Sequence, residues 1–292
     1  MPVSSQRPKL TVLSAKTLDR IPWLVHGFST RTGGFSRVYG GNALNLGFTQ
    51  HDFRSVVERN REAFLRRVGA VIGEKMWPLV TLRQIHSDLI HCISKPPTGP
   101  LAGDGLFTRT PGLLLSIQTA DCLPIILVDC KRRAVAVFHA GWRGIVKRIV
   151  EKGVGEMQKA FGTNPGDIQA AIGPGIHSCC YEVGPEVRQA FESQFAYAAE
   201  LFREVKESDP VREKYPLLFL TARAPGHGEL PPKIFLDLVE ANRRQLLDVG
   251  VSPKNIDAST LCTACRSDLL FSHRAEKGVT GRMMGVVGVR PG

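Results

Sequence analysis

Two short apolar segments, "LPIILVD" at 123–129 and "AVAVFHA" at 134–140, lie four residues apart in this chain. Runs of this length that are rich in Val and Ile are typical of buried β-strands, and so short a connection joins strands that lie antiparallel and side by side. The sequence therefore predicts a β-hairpin that turns at 130–133. If the turn is centred within those four residues, opposed residues have numbers that sum to about 263, so Pro124 faces His139.

Three side chains that bind metals lie at or near the ends of these strands. Cys122 comes directly before the first strand, His139 stands near the end of the second, and His86 lies upstream in "RQIHSD". In the predicted register Cys122 and His139 are one diagonal step apart on the same face, on the order of 7 Å or less between Cβ atoms. Zinc bonds of roughly 2.0 to 2.3 Å can close that gap. A slip of one residue would turn His139 to the opposite face.

Two imidazoles and one thiolate suit a zinc ion that keeps one coordination position open for water or substrate. We therefore predict one zinc ion per chain, held by His86, Cys122 and His139. Three other interpretations stay open. A metal-free hydrolase would use Cys122 as nucleophile and His139 as base. A copper oxidase would need many histidines, commonly in His-x-His pairs, and the eight histidines of this chain include no such pair. A binding protein or scaffold could carry a vestigial site.

The composition bounds the architecture. The chain has 292 residues, of which 43% are hydrophobic, enough for a substantial core in one large domain or two small ones. We expect a single domain over 1–292 with a variable surface excursion near 196–232, where "ESDP" and "RAPGHGELPP" interrupt any periodic pattern. Seven cysteines, an odd number without an export signal, favour free thiols and metal ligation over a disulfide framework.

The apolar runs and the charge of the sequence predict the location of the protein and its partners. The apolar runs are far shorter than the 18 or so residues of a membrane span, and the segment "MPVSSQRPKLTV" lacks a secretory apolar stretch, so we expect a cytoplasmic protein without a membrane partner. A net charge of +11 attracts anions such as phosphate and nucleotides. The basic residues are spread along the chain and form no known nucleic-acid motif, so no nucleic-acid partner is expected.

Two segments show the apolar spacing of amphipathic helices. Asp52 is the predicted N-cap of a helix over 53–68. After the hairpin, Gly144 opens a helical pattern that continues to Met157. Because the start of a helix offers free N–H groups to an anion, Arg143 at its entrance is either an anion contact or a solvated turn residue, and both interpretations stay open.

Several longer blocks occur in one order along the chain. They are "HGFSTRTGG", "NALNLGF", "QIHSD", "TADCLPI", "FHAGWRG", "IGPGIHSCCYEVG" and "CTACRSDLLFSHR". By these blocks the chain resembles the YfiH-like family, which was once labelled a polyphenol oxidase or laccase domain and is now regarded as a purine nucleoside phosphorylase with adenosine deaminase activity. The resemblance implies an α/β fold (α+β type), a single-domain α/β/α sandwich around a mixed β-sheet. It also implies that His86, Cys122 and His139 are zinc ligands.

The resemblance further implies the reaction. A zinc-dependent purine nucleoside enzyme would cleave adenosine or inosine with phosphate to free base and ribose 1-phosphate, with methylthioadenosine a further candidate, and would deaminate adenosine. Cys122, His139 and Arg143 are then the expected catalytic residues. Arg31 and Arg143 would hold phosphate, because a guanidinium can grip two oxygens at once, and Asn45 would contact base or sugar. The expected partners are purine nucleosides and phosphate, and the chain would act as a monomer or a homodimer.

Overall fold

The computed structural model describes residues 9–206, 214 and 231–292, and they fall into two compact units. The larger unit contains the described residues up to His177 together with Leu238–Gly292, and the smaller one lies within Ser178–Asp237. The expectation of one domain over 1–292 stays a prediction. Most of the expected surface excursion near 196–232 lies outside the described residues.

The strands are short and distributed along the whole described chain. The first ten are β1 (Val12–Leu13), β2 (Leu24–Ser29), β3 (Thr32–Ser36), β4 (Val71–Ile72), β5 (Lys75–Met76), β6 (Leu79–Val80), β7 (Leu82–Arg83), β8 (Ile90–Cys92), β9 (Leu101–Ala102) and β10 (Gly105–Thr108). They are followed by β11 (Leu114–Thr119), β12 (Leu123–Asp129), β13 (Ala134–Ala140), β14 (Ile168–Ile172), β15 (Glu182–Val183), β16 (Phe202–Val205), β17 (Lys233–Leu236), β18 (Ile256–Ala258) and β19 (Met283–Val289).

The α-helices are fewer and longer. They are α1 (Arg54–Val68), α2 (Trp142–Val146), α3 (Ile149–Phe161), α4 (Pro185–Glu192) and α5 (Leu238–Asp248). Within the described residues, no helix combines the length and the apolar character that crossing a membrane requires.

The predicted hairpin is confirmed at the centre of a six-stranded sheet with the order β18-β14-β12-β13-β10-β8. β12 and β13 pair antiparallel, and Pro124 lies opposite His139, in the predicted register. Every residue of both strands is buried. This explains why their sequences are almost continuously apolar, because a strand covered on both faces has no solvent side for polar residues.

A second, five-stranded sheet has the order β1-β2-β19-β11-β6. Apolar side chains from both sheets meet in one buried cluster, which includes Phe28 and Val287 from this sheet and Ile126 and Val137 from the six-stranded one. The two sheets therefore pack face to face. Each contains parallel as well as antiparallel pairs, such as β11 with β6 and β14 with β18.

Helices cover the outer faces of the two sheets. Phe64 and Leu65 of α1 pack on Val25 and Val286 of the five-stranded sheet. α3 packs against β13 and β10 on the other side. The predicted α/β class with helices around mixed β-structure is confirmed, and the middle of the sandwich consists of two sheets.

Both expected helices have different boundaries in the structure. α1 begins at Arg54, and the expected N-cap Asp52 instead accepts a hydrogen bond from the Ser36 hydroxyl (2.6 Å). The helix expected to open at Gly144 begins at Trp142 and is interrupted after Val146. The interruption has a local cause, because Arg148 adopts a left-handed conformation with φ 60° and ψ 43°, which ends a right-handed helical run.

The smaller unit has its own antiparallel sheet with the order β15-β17-β16. Aromatic rings hold it together, since Phe191 of α4 contacts Phe195 and Phe202 at centroid distances of 5.7 and 5.8 Å. The first part of the expected surface excursion is thus regular structure, because Phe202–Val205 forms strand β16 in this sheet.

Two glycines of α3 provide a matched test of how tightly the helix packs on the six-stranded sheet. A Cβ atom at Gly153 would lie 2.2 Å from Cζ of the fully buried Phe138, whereas one at Gly155 would meet nothing within 4 Å. We expect Gly153→Ala to lower the free energy of unfolding by about 1–3 kcal/mol through overpacking. Gly155→Ala should raise it by up to about 1 kcal/mol. Denaturant titration checks both, and equal effects would contradict this packing.

Candidate metal centre

The structure brings His86, Cys122 and His139 together at one end of the hairpin. One potential ligand atom from each residue lies within 4.8 Å of the other two. Cys122 Sγ is 4.0 Å from His86 Nε2, and the two imidazole rings are 4.9 Å apart at an angle of 72°. Tetrahedral zinc with typical bonds would separate sulfur from nitrogen by about 3.6 Å. The three side chains therefore fit a zinc ion after shifts of a few tenths of an ångström.

Each of the three candidate ligands occupies a different kind of local structure. His139 lies on the regular strand β13 and is only 4% exposed. Cys122 directly precedes β12 and is partly exposed. His86 is exposed and lies in the loop between β7 and β8, where its φ of 56° is left-handed.

The turn before Cys122 is held by its neighbour Asp121, which has a φ of 99°. The Asp121 carboxylate accepts hydrogen bonds from the Thr263 hydroxyl (2.6 Å) and from the Arg274 backbone N–H (2.7 Å). Its side chain therefore reaches away from the metal centre to two segments far along the chain. Because a strained backbone persists only where its surroundings hold it, these contacts fix the position of Cys122.

Sequence reasoning missed one residue of the site, Asp104. It is fully buried, and its carboxylate accepts a 2.8 Å hydrogen bond from His139 Nδ1. It also accepts from the backbone N–H groups of Ile85 (3.2 Å), His86 (3.1 Å) and Ser87 (2.6 Å). The signal in the sequence is weak, an acid between two glycines before β10. Only the pairing of β10 with β13, which no local pattern shows, places it beside His139.

The electrostatics of the metal-free site favour a thiolate. Burial raises the pKa of the Cys122 thiol, but the neighbouring imidazoles of His139 and His86 outweigh burial and lower this pKa to about 6. Burial also lowers the pKa of His139, but Cys122 and the carboxylate of Asp104 outweigh it and raise that pKa. The sulfur is thus prepared to bind a cation, since the thiolate is the form that ligates metals and attacks electrophiles.

The low pKa predicts a characteristic pH dependence of alkylation. In the metal-free protein, the rate at which Cys122 reacts with iodoacetamide should be fully developed near neutral pH and fall as pH drops through about 6, because only the thiolate reacts. Cys92 and Cys130 are internal controls, since burial raises the pKa of each thiol and their rates should keep rising with pH where that of Cys122 is already constant. Peptide mass spectrometry measures all three. Parallel profiles would contradict the assigned environment, and added zinc should protect Cys122 alone.

The three residues expected to contact substrate differ in exposure and in how many bonds their polar groups already make within the protein. Arg143 is exposed at the start of α2, with its guanidinium stacked 4.4 Å above the Trp142 ring. The Arg31 guanidinium is largely buried, pairs with Glu276 (3.1 Å) and donates to the carbonyls of Tyr39 and Ser267. In this arrangement Arg31 joins segments of the protein.

Asn45 is fully buried, and its amide is bonded within the protein. Its oxygen accepts from the backbone N–H groups of Gly47 (3.1 Å) and Arg282 (2.9 Å), and its nitrogen donates to Asp52 (2.9 Å). This placement argues against the expected contact between Asn45 and a base or sugar, because no polar atom of the side chain is left for a ligand. The sequence pattern "NLG" did not reveal that the amide organises its own loop.

The two glycines that follow Thr32 lie against the protein's own backbone. A Cβ at Gly33 would lie 2.4 Å from the backbone of Leu10, and one at Gly34 would lie 2.2 Å from the Ala43 carbonyl. The close approach that these glycines permit is therefore made by other segments of the protein's own chain.

Comparisons with known proteins identify the family to which this chain belongs. Residues 25–290 match the family model described as multi-copper polyphenol oxidoreductase laccase. Purine nucleoside phosphorylase YlmD of Bacillus subtilis is 30% identical over 94% of this chain and 92% of its own length. Adenosine deaminase RL5, from an unknown prokaryotic organism, is 36% identical over 70% of this chain and 72% of its own length.

A solved structure agrees with both sequence comparisons. The crystal structure of the Bacillus licheniformis hypothetical protein YfiH superposes with a TM-score of 0.78 at 30% identity, covering 93% of this chain and 95% of that one. The residues matched by the family model, 25–290, include the segments that carry His86, Cys122 and His139. The chain therefore belongs to the YfiH-like family, the family described as multi-copper polyphenol oxidoreductase laccase.

Proposed function

We propose that this chain is a zinc-dependent purine nucleoside enzyme, which cleaves adenosine and inosine with phosphate and also deaminates adenosine. The observation that carries the proposal is the convergence of His86, Cys122 and His139 in a chain whose relatives include proteins named for these two activities. The donor set would hold one zinc ion. Zinc bound there would supply Lewis-acid chemistry, stabilising negative charge that develops during the reaction.

The chain's own residues supply binding and orientation. Arg143 is exposed, and no carboxylate among the described residues lies within ion-pair distance of it, so its guanidinium is available to hold a phosphate dianion. In phosphorolysis a phosphate oxygen forms a bond to the anomeric carbon while the bond from that carbon to the base nitrogen breaks. The base leaves with the electron pair and takes up a proton. In deamination the oxygen of water bonds to the purine carbon that carries the amino group, and ammonia leaves.

A metal-free hydrolase is the second candidate, because the contacts run from Cys122 to His139 and on to Asp104. A nucleophile, a base and an acid that orients the base form the usual series for covalent catalysis. The third donor distinguishes the two functions. A hydrolase has no use for His86 Nε2 at 4.0 Å from the nucleophilic sulfur, whereas a metal site needs it.

The copper oxidase interpretation has less support. Multi-copper chemistry needs several centres rich in imidazole. Among the residues that the structure describes, only one group that could hold a metal contains histidine. That group offers the ligands of one ion.

The proposal is tested on one preparation of the purified protein. Incubation with adenosine and phosphate should yield adenine and ribose 1-phosphate in amounts that depend on phosphate, and incubation with adenosine alone should yield inosine. Elemental analysis should find about one zinc per chain. Several coppers with oxidation of phenols would establish the oxidase instead. Nucleoside turnover that survives removal of every metal would favour the hydrolase, and no turnover at all would refute the proposed function.

Arg143→Ala separates the two reactions. We expect phosphate-dependent cleavage to fall about 10- to 100-fold, the loss of one charge-assisted contact of about 1.5–3 kcal/mol, while deamination falls much less because it uses no phosphate. Arg132→Ala is the matched control, since Arg132 is exposed in the hairpin turn at the opposite end of β12 and β13. Equal losses of both activities in Arg143→Ala would contradict a role in phosphate binding.

A further inference from the structure

We propose that Asp104 is the positioning residue of the metal centre and that this single carboxylate sets both histidines. It would fix the ring tautomer of His139 through the side chain and the loop conformation of His86 through the backbone. The inference rests on the proposed metal site, but it does not depend on nucleoside chemistry.

The tautomer follows from the hydrogen bond to His139. A buried carboxylate can only accept, so the 2.8 Å contact requires a proton on His139 Nδ1. A neutral imidazole carries one proton, which leaves the lone pair on Nε2, the ring nitrogen on the side of Cys122. The backbone N–H of His139 also donates to the carbonyl of Asp104 (2.8 Å), so ring and strand are held by the same residue.

The loop of His86 depends on the other contacts of the same carboxylate. Its two oxygens accept from three successive backbone N–H groups, those of Ile85, His86 and Ser87, and from the Ser87 hydroxyl (2.7 Å). A left-handed φ of 56° at His86 is costly for a side chain with a Cβ, and these bonds offset that cost. They leave the His86 ring pointing its Nε2 toward Cys122 Sγ.

Asparagine at position 104 would break this arrangement in a specific way. An amide has the shape of a carboxylate but presents two N–H donors in place of one oxygen. If the NH₂ group replaced Oδ2, it would face the Ile85 and Ser87 N–H groups and the Ser87 hydroxyl. If it replaced Oδ1, it would donate to His139 Nδ1 and oppose the His86 N–H, and the ring proton of His139 would move to Nε2.

The test compares Asp104→Asn with Ser87→Ala, which removes one hydrogen bond to the same carboxylate and leaves every contact to the histidines in place. Zinc affinity is measured by competition with a chromophoric chelator. We expect Asp104→Asn to bind zinc about 10- to 100-fold more weakly, as other partners of metal-bound histidines do on mutation. Ser87→Ala should stay within about twofold of the unchanged protein. Equal affinities of Asp104→Asn and the unchanged protein, or equal losses in the two variants, would overturn the proposal.

A second measurement needs no variant and therefore holds even if Asp104→Asn fails to fold. Long-range ¹H–¹⁵N NMR on the unchanged protein, metal-free and zinc-loaded, should show His139 Nδ1 protonated in both states and its proton protected from solvent exchange. An unprotonated Nδ1 would overturn the proposal. Neither readout involves a nucleoside, so the proposal can stand if the proposed function fails.

Discussion

Cys122→Ala is expected to weaken zinc binding roughly a hundred- to a thousandfold and to abolish nucleoside turnover. Structural zinc sites with four ligands bind with about 10–16 kcal/mol, so one ligand contributes about 2.5–4 kcal/mol. Cys122 also supplies the only negative charge among the three donors, since its thiol pKa is lowered to about 6 by the two imidazoles against the effect of burial. Elemental analysis after dialysis and the nucleoside assay measure the two losses.

Cys130→Ala is the control for that substitution. Cys130 is an exposed free cysteine that follows β12 at its opposite end, so its loss should change neither zinc content nor activity. A Cys122→Ala protein that retains full zinc would refute the ligand assignment. A Cys122→Ala protein that lacks activity while the unchanged protein proves to hold no metal would point to the nucleophile of a hydrolase.

Gly141→Ala is expected to weaken zinc binding about 10- to 100-fold while leaving the protein folded. The backbone of Gly141, with φ −81° and ψ 168°, accepts alanine without strain. Its new Cβ, however, would lie 2.9 Å from Cys122 Sγ and 3.2 Å from His86 Cδ2. Sulfur can escape only by rotating away, so overpacking of about 1–3 kcal/mol would act against the ligand geometry.

The measurement for Gly141→Ala is zinc affinity set beside the free energy of unfolding of the metal-free protein. Gly155→Ala serves as control, because it adds the same methyl group in open space on α3. We expect the affinity of Gly155→Ala to match that of the unchanged protein. Zinc affinity of Gly141→Ala within twofold of the unchanged protein would show that this glycine does not shape the centre.

The hairpin could be predicted from the sequence in detail because its determinants are local. The four-residue connection fixes the register that pairs Pro124 with His139. Because successive side chains of a strand point to opposite faces, this register also places Cys122 near His139. His86 could be proposed as a third donor from its residue type, but no local pattern places it beside the hairpin, because the loop that brings it there is shaped by Asp104 from another segment.

The rest depends on contacts between distant segments. Asp104 becomes part of the site through the pairing of Gly105 with Phe138, and Asn45 is buried through its bond to Arg282, more than two hundred residues away. Likewise, periodic apolar positions show that strands are covered but not that the middle of the sandwich consists of two sheets. The helix break at Arg148 could not be predicted, because no glycine or proline, the usual sequence signals of a break, stands at that position.

The position of β19 has a consequence for how a cell makes this protein. In the five-stranded sheet, β19 lies between β2 and β11, although it follows them by some two hundred and fifty and one hundred and seventy residues. During synthesis β2 and β11 are made long before β19, so one edge of each strand has no hydrogen-bonding partner until β19 is complete. Such open edges can pair wrongly with strands of neighbouring nascent chains. We therefore expect maturation to be post-translational and slow, and yield at high expression to depend on chaperone supply.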